Sequence, residues 1–422
     1  TLREGDLFNI VAYDSNVDTF RPELESYDDT TRHAALAFAD GLFSGGSTDI
    51  NAALQRAMGM LSDTSRPTYV IFLTDGLPTA GETGEAAIAN NCEHANSVRA
   101  RLFTFGVGYD VNSRLLDKLA RANFGQSEYV RPDEDIEAAV SRLYNRVGAP
   151  VLTGVNVEMF STGVNPAEAR LSRVYPKGPF DLFLGDQAVV VGRYANAGTG
   201  EITVRLAGTV GDQQKTFEFQ TNLATHSADD TNAFVARLWA TRRVGEIIDE
   251  IDLKGRNEEL VKELVDLATR HGILTPYTSF LADETSDIRD VAQNTARSLE
   301  EADDLSIVAG ETAFAQRAVK GAYQRAASAP ASGLGGGGGG FGGALDAVEA
   351  GKLLANRGRG AVYFDHRLNK QVAQNTVMNL GRKTFFQRGG RWIDSSISEE
   401  EEQQAQRIER YSPEYFQLAA QH

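Results

Sequence analysis

The stretch Thr68 to Gly76, TYVIFLTDG, limits what this chain can fold into more than any other. Six apolar or β-favouring residues run together from Thr68 to Leu73, and Thr74-Asp75-Gly76 ends the run. A short continuous apolar run closed by a turn signal is the pattern of a strand buried on both faces, the usual state of a strand in a parallel sheet. In a doubly wound sheet the functional crevice lies outside the carboxyl ends of such strands. Asp75 is therefore expected at a crevice, with its carboxylate directed outward.

A second stretch, Gly45-Gly46-Ser47-Thr48-Asp49-Ile50, bears on the same crevice. Two glycines let the backbone turn freely, and Ser-Thr-Asp is the composition of a helix N-terminus. INAALQRAMGML follows, with Ile50, Leu54, Ala57 and Leu61 at helical spacing. A hydroxyl on a strand-to-helix loop and a carboxylate at the next strand end can share a hard cation, since Mg²⁺ takes oxygen ligands in an octahedron. The same residues also allow Thr48 to act as an N-cap and Asp75 to begin a turn.

The whole chain sets outer bounds. Its 422 residues allow about three domains at the usual ~100–200 residues each. A net charge of −16 argues against general binding to nucleic acid or anionic membranes. The single cysteine, Cys92, excludes an internal disulfide and a cysteine-based zinc site. The histidines show no metal-ligand spacing, so His33, His94 and His271 are read as surface or packing residues. Neither a transmembrane run nor a signal peptide is present in these residues. The chain opens with Thr rather than Met and goes almost directly into a strand, as a processed or partial chain would.

Strand and helix alternate through the first third. Leu7 to Tyr13 reads as a strand with Val17 to Phe20 as a short partner, and Asp28 to Leu42 as a helix. After the Thr68–Asp75 strand come a helix over Thr83 to Arg101, a buried strand over Leu102 to Val107, a helix over Ser113 to Ala122, a brief strand over Glu128 to Val130, and a helix over Asp133 to Val147. That alternation predicts an α/β, doubly wound and mostly parallel sheet.

The order FNIVAYDS, GGSTDINAAL, YVIFLTDG, LFTFGVG resembles that of a von Willebrand factor A domain over residues 1–148. The resemblance implies a metal-ion-dependent adhesion site with Thr48 and Asp75 as ligands to Mg²⁺ (or Mn²⁺ or Ca²⁺). That family also needs an Asp-x-Ser-x-Ser motif after its first, central strand, and none precedes Leu7; Asp14-Ser15 has the wrong spacing. The chain is thus expected to lack the first strand. An upstream segment or another chain would have to complete the sheet and the metal site, and residues 1–148 would not fold well without it.

Residues 149–222 carry short alternating stretches set off by Gly, Asn and Asp, which predicts a β-sandwich-like module of about six strands. Residues 223–327 read as a helical region, with Asn257 as an N-cap, Gly272 as a C-terminal cap, and a helix followed by loose chain beyond residue 286. FVARLWA and HGILTPYTSF resemble segments of the inter-alpha-trypsin inhibitor heavy chains and their bacterial relatives, in which a vault/inter-alpha-trypsin domain precedes the A domain. TPYTSF itself is read as a packed, extended segment. Residues 328–344, with the run GLGGGGGGFGG, are a Gly-rich linker, expected to be cut by proteases and to release the rest. Residues 345–422 form a small C-terminal region with a β-hairpin at KTFFQ-RGG-RWIDS and a helix from Ser412-Pro413.

The family implies a non-enzymatic, secreted, cell-surface or periplasmic adhesion protein that presents a cation to a partner's carboxylate. A structural scaffold with a degenerate metal site is the alternative. A metal-dependent hydrolase is the third reading, although a second in-line Asp and a phosphate-cradling loop are missing.

Overall fold

The structure, a computed structural model, describes residues 2–43, 45–64, 66–147, 150–161, 171–183, 187–194, 201–210, 213–224, 231–255, 257–304, 307–326, 361–365 and 370–421. Its first part runs β1 (Leu7–Phe8), β2 (Val11–Tyr13), β3 (Val17–Thr19), β4 (Glu25–Ser26), α1 (Asp29–Asp40), α2 (Ile50–Gly59), β5 (Tyr69–Thr74), α3 (Glu85–Ala95), β6 (Arg101–Val107), α4 (Ser113–Ala122), β7 (Ser127–Val130) and α5 (Ile136–Val147). Strands β5, β6 and β7 form a parallel sheet, with Tyr69 opposite Arg101 and Thr104 opposite Ser127.

Apolar side chains shield the central strand β6 on both sides. Ile50, Leu54 and Met58 of α2, Ile88 and Cys92 of α3, and Leu115, Leu116 and Leu119 of α4 cover one face over Phe72 and Leu102. On the other face Phe103, Phe105 and Val130 pack with Leu143 of α5 and Phe183 of the next module. Burying each large side chain contributes ~1.5–3 kcal/mol, so the doubly covered β6 anchors the layer. Helix α3 stops at Ala95, short of the expected Arg101. There the Asn96 side chain takes the Ala100 N–H at 2.7 Å and donates to its carbonyl at 2.8 Å, and Arg99 has φ +57°. Gly125 lets the chain pass so close to β6 that a Cβ there would lie 1.8 Å from the Leu102 carbonyl oxygen.

The Leu7 to Tyr13 stretch is two strands, not one. β1 pairs with β4 and β2 with β3, while β5 is bonded to β6 alone among the described strands. β5 is not buried on both faces as its apolar run predicts: Ile71 and Leu73 are exposed on the face that α5 covers farther along, although Phe72 and Thr74 behind them are buried. Tyr13 reaches from β2 to β5: its ring stacks on Phe72 at 5.6 Å and its hydroxyl donates to the Leu73 carbonyl at 3.0 Å.

The next module has the six strands expected: β8 (Pro150–Ser161), β9 (Leu171–Tyr175), β10 (Phe180–Phe183), β11 (Val191–Tyr194), β12 (Glu201–Val210) and β13 (Gln213–Asn222). They form an antiparallel sheet in the order β10-β8-β12-β13 and a separate β9–β11 pair. Arg101 of β6 ties the module to the first sheet through Asp181 of β10, with one contact at 2.9 Å.

The helical region follows as α6 (Ala233–Lys254), α7 (Glu258–His271), a 3₁₀ turn (Ser279–Ala282), α8 (Val291–Asp304) and α9 (Glu311–Arg325). Asn257 caps α7 by accepting from the Glu259 and Leu260 N–H groups, and Gly272 closes it in the left-handed region at φ +63°. Thr275, Tyr277, Thr278 and Phe280 are buried, so TPYTSF is packed, but it is a turn leading into the 3₁₀ turn rather than extended chain, with the Thr278 N–H donating to the Thr275 carbonyl at 3.0 Å. Residues 311–325 are a helix where loose chain was expected. Arg317 and Lys320, one turn apart on it, meet Asp117, Asp249 and Asp252, and Tyr323 packs against the helical core.

The last elements are β14 (Ala361–Asp365), β15 (Lys370–Gln374), β16 (Val377–Leu380), β17 (Lys383–Arg388), β18 (Arg391–Asp394), α10 (Glu399–Gln403) and α11 (Pro413–Gln421). The expected hairpin is the β17–β18 part of a three-stranded meander, β16-β17-β18. Val377 and Phe386 are fully buried against Ala268, Leu274, Phe280 and Leu281. The Thr384 hydroxyl donates to the Arg270 carbonyl at 2.8 Å, and Arg388 donates to the Leu281 and Ser286 carbonyls. The Gly-rich linker at 328–344 lies outside the described residues. Among the described residues no helix is long and apolar enough to cross a membrane.

Candidate functional site

Three chain turns meet at the carboxyl ends of β2 and β5. The first follows β2: the Asp14 carbonyl accepts from the Asp49 N–H at 2.9 Å, and the Ser15 hydroxyl accepts from the Ser47 N–H at 2.8 Å. Gly46, at φ +81°, makes that approach possible, because a Cβ there would lie 2.9 Å from the Ser15 oxygen. The third turn, after β5, clamps the Thr48 backbone. Thr79 and Ala80 donate their N–H groups to the Thr48 carbonyl, and the Thr48 N–H donates to the Thr79 hydroxyl at 2.8 Å.

Within this frame the Thr48 hydroxyl comes to the backbone next to Asp75. A Cβ on Gly76, the residue after Asp75, would lie 3.4 Å from the Thr48 hydroxyl oxygen. Thr48 does not cap α2. Asp49 does so, accepting from the Ala52 N–H at 2.9 Å, which leaves the Thr48 hydroxyl outside the cap. The Tyr13 phenol stands beside the pair. Burial pushes it up to about 12, the neighbouring Asp75 carboxylate adds to the rise, and a hydrogen bond with Thr74 works against it.

The oxygens at this edge are the ones that could hold a hard cation. Among the described hydrogen bonds, Asp49 serves the helix cap, Asp14 accepts from the Asn16 N–H at 2.7 Å, and Ser15 holds Ser47. Neither the Thr48 hydroxyl nor the Asp75 carboxylate has a side-chain hydrogen bond among those described. Mg²⁺ asks for six oxygens and commonly takes one or two carboxylates with waters, so the pair fits as an incomplete set. Among the described residues no three Asp, Glu, His or Cys side chains lie close enough together to hold a metal ion. Sequence reasoning set Asp14-Ser15 aside on spacing, yet the fold brings both to the Gly46–Asp49 loop. The available signal was that they end a strand neighbouring β5 at the same edge.

Comparison with known proteins places these features. Residues 1–129 match the family model for the von Willebrand factor type A domain. The chain is similar to human inter-alpha-trypsin inhibitor heavy chain H4, at 28% identity over 302 residues, covering 68% of this chain and 32% of that protein. It is also similar to human heavy chain H2, at 26% identity over 309 residues, covering 69% of this chain and 32% of that one. It spans about a third of the length of these relatives. Among solved structures, a von Willebrand factor type A protein from Catenulispora acidiphila aligns with a TM-score of 0.44 and 16% identity, over 73% of this chain and 82% of that one.

Proposed function

We propose that this chain, which carries a von Willebrand factor type A domain and is homologous to the inter-alpha-trypsin inhibitor heavy chains, is a non-enzymatic protein-binding and adhesion module working outside the cytoplasm. The supporting observation is that the Thr48 hydroxyl lies beside Gly76, the residue after Asp75, at the carboxyl edge, with the capping task passed to Asp49. A divalent cation there, Mg²⁺ or Mn²⁺ or Ca²⁺, would leave coordination positions for a partner's carboxylate. Thr48 contributes its hydroxyl and Asp75 its carboxylate, directly or through a water. Tyr13 packs behind them, and the Thr79–Ala80 turn fixes the Thr48 backbone.

The remaining oxygens come from an Asp-x-Ser-x-Ser segment on a further strand. The space between β2 and β5, where β5 has one bonded neighbour and exposes Ile71 and Leu73, suits such a strand from an upstream segment or another chain. The alternative is a structural scaffold with a degenerate metal site, which the lack of a three-ligand group among the described residues favours.

Mn²⁺ binding, followed by electron paramagnetic resonance on a chain extended by its upstream segment, separates the two. Loss of a ligand weakens a metal site by at least ~10–100-fold, the range seen even for outer-shell partners. Thr48→Ala and Asp75→Ala should each show that loss while keeping the parent melting temperature. Equal Mn²⁺ binding by Asp75→Ala and the parent excludes the metal site.

A further inference from the structure

Strand β13 closes one side of the four-stranded sheet, and all ten of its residues are exposed. Phe217 and Phe219 stand on one face at 47% and 59% exposure. They continue a row formed by Leu206 and Val204 of β12 and by Val157 and Met159 of β8. The opposite face is polar: Arg205 pairs with Glu218 at 2.8 Å and lies over the Phe160 ring at 4.4 Å.

A free sheet edge offers a row of backbone donors and acceptors to any other strand. Natural edges are blunted by proline, bulges, short length or inward charges. QQKTFEFQTN has no proline, and its register against β12 runs unbroken from Gln213 opposite Val210 to Asn222 opposite Glu201. Its two charges, Lys215 and Glu218, cancel, so the edge is neutral on a chain of net charge −16. A second copy would meet no net charge here, rather than the repulsion it meets elsewhere.

We propose that β13 is the docking edge for a second copy of this chain, the two β13 strands pairing antiparallel about a two-fold axis at Phe217. Such an axis, perpendicular to the sheet, keeps each face on its own side, so Phe meets only residues of its own row. Two centres give the longest overlap, Phe217 and Glu218. The Glu218 centre sets that carboxylate against its own copy, which like-charge pairing disfavours. The Phe217 centre instead places Phe217 on itself, Lys215 across from the partner's Phe219, and Thr216 across from the partner's Glu218. An aromatic pair flanked by cation–π contacts is a favourable cross-strand set.

Sedimentation velocity on the full chain should show a species of twice the 45.8 kDa chain mass, growing with concentration. Phe217→Lys, at an exposed position, sets two cations on the axis and should weaken self-association at least tenfold. Phe217→Cys should form a disulfide-linked dimer on oxidation, and Gln213→Cys, far from its own copy in this register, should not. The native Cys92 is buried and gives no background. A monomer throughout the sub-millimolar range overturns the proposal. So does a dimer that survives Phe217→Lys, or one that cross-links as readily through Gln213→Cys.

Discussion

Replacing Lys320 with methionine should cost the protein about 3–5 kcal/mol. Lys320 and Arg317, on α9, have side chains only 4% and 2% exposed. They meet Asp117 of α4 and Asp249 and Asp252 of α6 where the first domain touches the helical region, with Lys320 2.9 Å from Asp249 and in contact with Asp117. Arg317 pairs with Asp252, and the half-exposed Arg121 adds a third cation against three carboxylates. Tyr129 and Tyr277 donate to Asp117 and Asp252 at 2.7 and 3.2 Å. Burial alone would raise the Asp117 carboxyl, but Lys320 and Arg317 hold it below its ordinary value. An ion pair at ~4 Å in an effective dielectric of ~20 is worth ~4 kcal/mol before desolvation, and stripping one partner from a buried pair costs ~3–5 kcal/mol. That is a large part of the ~5–15 kcal/mol that holds a typical domain together. Urea titration with two probes resolves it. Both tryptophans, Trp239 and Trp392, lie beyond the first domain, so fluorescence reports the helical and C-terminal parts while far-UV circular dichroism reports the whole. The parent should unfold with the two probes coincident. Lys320→Met should separate them, and Lys320→Met with Asp249→Asn should recover much of the loss by rebalancing charge. A Lys320→Met curve within ~1 kcal/mol of the parent, with coincident probes, would show that these charges do not bind the domains together.

Acid should act through His271. Burial, aided by Arg270 and Arg237, pushes its pKa down to about 4 from 6.5. The folded value lies below the unfolded one, so its contribution is full above pH ~6.5 and is lost between there and pH ~4, to about 3 kcal/mol at ~1.36 kcal/mol per unit. His271→Gln should flatten the fall of the urea midpoint over that window, and an unchanged slope would count against it. Gly125→Ala drives a Cβ into the Leu102 carbonyl and should destabilise by at least ~3 kcal/mol in thermal melts; a variant as stable as the parent would contradict the close approach. Protease cleavage within Gly335–Gly343 should leave both fragments together on size exclusion, because Val377 and Phe386 are buried in the helical region. Separation without denaturant would refute that docking.

Where a local pattern decides, the sequence was enough. The apolar run at Tyr69–Thr74 and the alternation around it specified the parallel sheet. Asn257 and Gly272 announced both ends of α7 from their own chemistry. What escaped depended on contacts across long separations. Helix α9 has an Ala-rich, polar sequence, and its place is set by Asp117 some 200 residues earlier. Ser15 joins the site through a hydrogen bond to Ser47 that no spacing rule encodes. Asp49 rather than Thr48 caps α2, a choice between adjacent oxygen-bearing residues that only backbone geometry makes.

The docking of β16–β18 onto α7 also has a meaning for synthesis. The apolar surface formed by Ala268, Leu274, Phe280 and Leu281 is finished only when Phe386 arrives, about one hundred residues later. At ~5–20 residues per second, a ribosome takes about 5–20 s to deliver it. For that interval the nascent chain displays a greasy socket whose plug has yet to be made. Its final closure is therefore timed by translation and by the search of a tethered segment, rather than by the folding of the helices themselves.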